Sequence, residues 1–95
     1  MPDKELVALL RQRLRLIAKE DASTRFGMIS LRACLTSLPD DLIAYPHAAV
    51  LSQQLRALAQ QEQLAPEELQ VRLRQLVQAA LDRLLSPPGE SGSPA

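Results

Sequence analysis

From position 66 this 95-residue chain reads Pro66, Glu67, Glu68 and then places Leu69, Leu73, Leu76, Val77, Ala80 and Leu84 at steps of three and four. That rhythm collects apolar side chains on one side of an α-helix and is incompatible with a strand, whose faces alternate at every second residue. Proline lacks an N–H and suits the first helical position, where two glutamates also meet unbonded backbone N–H groups. A helix is therefore expected from Pro66 to about Leu85. Leu81 and Leu85 widen its stripe, and Val71 stands off it.

Three earlier segments follow the same rule. From about Asp3 to Asp21, Leu6, Leu10, Leu14 and Ile17 fall within about 80° at 100° per residue. Lys4, Arg11, Arg15 and Lys19 occupy the opposite side. Pro2 and Asp3 open this helix, and Asp3 and Glu5 complement its dipole. A second helix is expected from about Thr24 to Ser37, with Ser23 or Thr24 as cap and Met28, Leu31, Leu35 and Leu38 inside. Gly27 weakens its start, and Pro39 should stop it. In "PDDLIAYP", Asp40 is placed to cap one short turn that buries Leu42 and Ile43. The third helix should run from Pro46 to Gln63, with Ala48, Leu51, Leu55, Leu58 and Ala59 on its main face. Ala49, Val50 and Ala57 make a second, smaller face.

Four apolar stripes joined by short connections predict an all-α fold, a small antiparallel bundle of about four helices over residues 1–85. "SPPGESGSPA", residues 86–95, reads as a disordered Pro/Gly/Ser tail. Composition agrees: the aromatic residues are Phe26 and Tyr45 alone, and leucine and alanine dominate. A core this thin is marginal at 95 residues. Leu16, Val50, Val71 and Leu85 are left over from the four stripes, which favours burial against a second copy or another protein.

Charge and chemistry narrow the function. The single cysteine, Cys34, forms no intramolecular disulfide and belongs to no zinc-binding cluster; it is expected as a small buried hydrophobe. His47, the one histidine, follows Pro46 with only Asp40 and Asp41 nearby in sequence, so neither it nor a Cys34–His47 pair forms a catalytic pattern. The three glycines form no phosphate-binding array. No catalysis, cofactor or metal is expected. No apolar run approaches a membrane span, and the start does not read as an export signal, so a cytoplasmic protein is expected. The basic first helix invites a membrane-surface reading, but it lacks boundary aromatics.

Net charge is zero, yet residues 6–38 carry six basic against two acidic side chains, a net +4, and residues 39–68 carry a net −4. Arg11, Arg15 and Lys19, or Arg72 and Arg74 on the fourth helix, offer an alternative reading as a helical DNA-binding regulator. Against it stand the zero net charge, the scarcity of stacking aromatics, and Glu67 and Glu68 where a recognition helix would meet phosphate. Arg13 lies inside the apolar arc of its helix. It either extends its guanidinium to water or pairs with a carboxylate of another helix or chain, such as Glu62. The reading that results is a protein–protein interaction module, an adaptor, assembly or secretion chaperone, or small subunit. Leu16, Val50, Val71, Leu85 and Arg13 form its contact set, and a homo-oligomer is the expected state.

Overall fold

The computed structural model describes residues 4–61 and 63–85. The helix start at Pro2 and Asp3, Glu62 and the tail at 86–95 lie outside the described residues. Four helices pack against one another: α1 (Lys4–Lys19), α2 (Arg25–Asp41), α3 (Ala49–Ala59) and α4 (Pro66–Leu85). Two 3₁₀ turns, Leu42–Ala44 and Pro46–Ala48, link α2 to α3, and no strand occurs among the described residues. The all-α bundle is as the periodicity predicts.

The core is built almost wholly of leucine. Leu6, Leu10 and Ile17 of α1 are buried, as are Leu31, Leu35 and Leu38 of α2 and Leu51, Leu55 and Leu58 of α3. In α4 the buried set is Leu69, Leu73, Val77 and Leu81, while Leu76, Ala80 and Leu84 pack at its margin. Leu14 is likewise marginal. Each buried leucine removes side-chain surface worth about 1.5–3 kcal/mol from water, and this burial is the main favourable contribution to the fold.

Local chemistry explains the boundaries. Thr24 caps α2, its Oγ1 accepting from the Gly27 N–H at 2.9 Å and donating to the Asp21 carbonyl at 2.8 Å. Gly27 presses against the Asp21 carbonyl, where a Cβ would collide with the backbone. Met28, about 100° further round the helix, is left exposed instead of joining the core as expected.

Pro39 does not stop α2. The helix runs on to Asp41, and the Leu42 N–H closes the ladder onto the Leu38 carbonyl. One i→i−4 bond is missing at Pro39, but its ring is buried within the bundle, which offsets part of that loss. The following turn buries Leu42 and leaves Ile43 71% exposed. Neighbours on a 3₁₀ turn point about 120° apart, so the two cannot face one core together. Asp40 caps nothing here: the residue before that turn is Asp41, without a side-chain capping bond. The 3₁₀ turn Pro46–Ala48 takes the place of the expected start at Pro46, and α3 runs from Ala49 to Ala59, ending four residues before the expected Gln63. Gln60 and Gln61 donate to the Ala57 and Leu58 carbonyls, and this tightening ends the helix. α4 keeps its expected limits, with the Ala65 carbonyl accepting from Leu69.

Candidate functional site

The bundle closes unevenly. α1 lies along α4, α2 lies along α3, and α3 meets α4, whereas α1 and α2 scarcely touch. Two polar bridges hold this open side. Near one end Arg13 Nη2 donates to Asp41 Oδ2 at 2.8 Å. Near the other Ser30 Oγ donates to Glu20 Oε2 at 2.8 Å. Of the two outcomes open to Arg13 from its position, extension to water or an ion pair, the structure shows an ion pair between helices. Its partner is Asp41, and Glu62 lies outside the described residues.

Between the bridges runs a groove of about 260 Å³, floored by Ile17 and Leu31 and walled by Leu16, Ala33 and Cys34. Cys34 is half-buried rather than sealed in the core, because α1 never closes over it. Burial pushes its thiol pKa up; Arg13 opposes that shift, and Asp41 reinforces it. Behind the groove Gln70 Nε2 of α4 donates to the carbonyls of Ile17 and Glu20, each at 2.7 Å, and satisfies the last turn of α1.

The residues singled out from sequence do not converge on one patch. Leu16 and Arg13 line the groove. Val50 lines a separate hollow of about 110 Å³ with Leu6, Leu10 and Leu84, and His47 lines that hollow too, away from Cys34. Val71 and Leu85 are exposed on α4. The residues that sequence reasoning missed sit on α2 and the turn after it: Phe26 is 86% exposed, Ile29 54% and Ile43 71%. Their off-stripe angles were a usable signal for Phe26 and Ile29. Their significance depended on which face of α2 turned outward.

For the nucleic-acid reading, Arg11, Arg15 and Lys19 share the exposed side of α1. Arg72 is drawn to Glu68 at 3.0 Å one turn away, and Arg74 is exposed. Among the described residues no group of three or more His, Cys, Asp or Glu side chains is placed to hold a metal ion. No helix among them is long and apolar enough to cross a membrane. No protein-family model matches this chain, and no curated protein or solved structure matches it either.

Proposed function

We propose that the protein is a small helical interaction module that acts by burying apolar helix surface against a second copy or another protein, and not by catalysis. One observation carries this reading. The only phenylalanine of a chain so poor in aromatics stands 86% exposed, next to Ile29 on the same helix. A phenyl side chain is worth about 150–250 Å² of buried surface, more than a leucine-built bundle of this size can readily forgo. Aromatic anchors of this kind dominate protein interfaces. The lone thiol fits a reducing, cytoplasmic setting.

The test compares wild type with Phe26→Ser by light scattering after size exclusion, at low and high salt, together with thermal unfolding. The reading expects nearly unchanged unfolding, because so little of the side chain is covered in the folded chain. It also expects Phe26-dependent association, either with itself or with an immobilised apolar matrix, that survives high salt. A drop of several degrees in the midpoint for Phe26→Ser would show that Phe26 serves the protein's own core, and the reading would then lose its support. The DNA-binding alternative rests on the shared face of Arg11, Arg15 and Lys19. It is distinguished by affinity for duplex DNA that falls steeply as salt rises.

A further inference from the structure

Each end of the outward face of α2 sets a large exposed apolar side chain beside one charge, and the two charges are opposite. Arg25 and Phe26 stand at the start of the helix. Asp40 stands at its end, with Ile43 exposed on the turn just beyond. Neither Arg25 nor Asp40 has an ion pair or a side-chain hydrogen bond with another described residue.

Between these ends the face is uncharged. At 100° per residue Phe26, Ile29, Ala33, Ser37 and Asp40 fall within about 80°, and all five are exposed. Ala33 is the midpoint of this line, seven residues from Phe26 and seven from Asp40. Arg32, the one charged residue between Phe26 and Asp40, is half-buried and points about 100° away from Ala33. How closely two helices approach is set by the side chains at the crossing, and alanine there permits a near one.

We infer that this face pairs with itself, two copies joining through an antiparallel α2–α2 contact whose two-fold axis passes beside Ala33. This rests on the interaction-module reading above and assigns it a face and a partner. A two-fold contact uses one patch twice, so a residue before the midpoint meets the residue equally far beyond it in the other copy. Arg25 and Phe26 of each copy then lie beside Asp40 and Ile43 of the other, and Ala33 meets Ala33. Opposite charges are matched twice, while Phe26 and Ile29 of both copies leave water. A parallel pairing would set Arg25 against Arg25 and Asp40 against Asp40. The reversal of charge about Ala33 thus favours a second copy, since a different protein needs no such symmetry.

The test begins with sedimentation equilibrium of the full chain, which should show monomer and dimer in exchange. Arg25→Glu and Asp40→Lys should each weaken the dimer about tenfold, because each turns two attractions into two repulsions. The two together should restore wild-type affinity. An acid in the first turn and a base in the last suit the helix dipole, so both variants keep the fold. Ala33→Glu should abolish the dimer by setting two like charges at the axis. In a Cys34→Ala background, oxidation should link Ala33→Cys to its own counterpart. Asp40→Cys, about 20 Å from its counterpart across the axis, should stay unlinked.

A dimer that the single charge reversals leave unchanged, or that their combination fails to restore, overturns the inference. Self-linkage of Asp40→Cys would show a parallel pairing and overturn it too. So does a monomer at every concentration. If Phe26 of that monomer still binds an apolar matrix, self-pairing alone fails and another protein is the partner; if it does not, the module reading falls as well.

Discussion

Arg13 and Asp41, 28 residues apart in sequence, meet at 2.8 Å and hold the two helices that otherwise scarcely touch. Both side chains keep some solvent exposure, 24% and 36%, so their coupling should be modest, about 0.5–1 kcal/mol in a double-mutant cycle. The two single substitutions should differ. Asp41→Ala leaves a guanidinium whose Nε is already buried without a partner and should cost about 1–2 kcal/mol. Arg13→Met keeps the stem, removes the unsatisfied nitrogen and should cost less. Urea unfolding of the two variants measures the difference, and equal costs would contradict this asymmetry.

Gly27 is expected to resist replacement. Alanine ordinarily gains about 1 kcal/mol over glycine inside a helix. Here a Cβ meets the Asp21 carbonyl, which is backbone and cannot swing away as a side chain would. Gly27→Ala should therefore destabilise by about 1–3 kcal/mol net of the propensity gain. A higher thermal midpoint for this variant would show that the connection between α1 and α2 yields freely.

Gln70 joins the start of α4 to the end of α1 through two hydrogen bonds from one amide nitrogen. Gln70→Leu removes the donor and leaves two carbonyls to find water, at a cost of about 1–3 kcal/mol. Gln70→Glu should be at least as damaging, since a carboxylate cannot donate to a carbonyl. Amide exchange of the neighbouring helix ends, followed alongside urea unfolding, should show α1 fraying first.

Asp21 has its carboxyl pKa held below the ordinary 3.8, first by the Ser23 hydroxyl and then by the Ser23 backbone N–H. A carboxylate depressed in the folded state adds stability above its unfolded pKa and loses it as pH falls through the lower folded value. The turn between α1 and α2 should thus weaken only below about pH 3.8. Ser23→Ala should move the Asp21 titration, followed by NMR, back up towards the ordinary carboxylate value. No movement would mean that the hydroxyl does not bond the carboxylate in solution.

Helix number, the limits of α4, the Thr24 cap and most of the leucine core were legible from spacing alone. These depend on neighbours within one or two turns, and periodicity encodes them directly. Pro39 was misjudged because its local penalty was weighed without its tertiary gain: a proline buried in the bundle stays helical when Leu42 re-closes the ladder behind it. Met28 and Ile43 were misplaced because adjacent stripes compete for one core, and the outcome turns on Gly27 against Asp21 and on Leu42 taking the inward place.

The candidate site was less legible still. The sequence identified Arg13 as an inward cation and Leu16 as surplus, but no local pattern indicates that α1 pairs with α4 rather than with α2. That choice leaves the groove open, brings Asp41 to Arg13 and turns Phe26 outward. Amphipathic spacing specifies which side of each helix leaves water. The order in which helices surround a shared core depends on contacts among residues far apart in the chain, and it is this order that makes a groove.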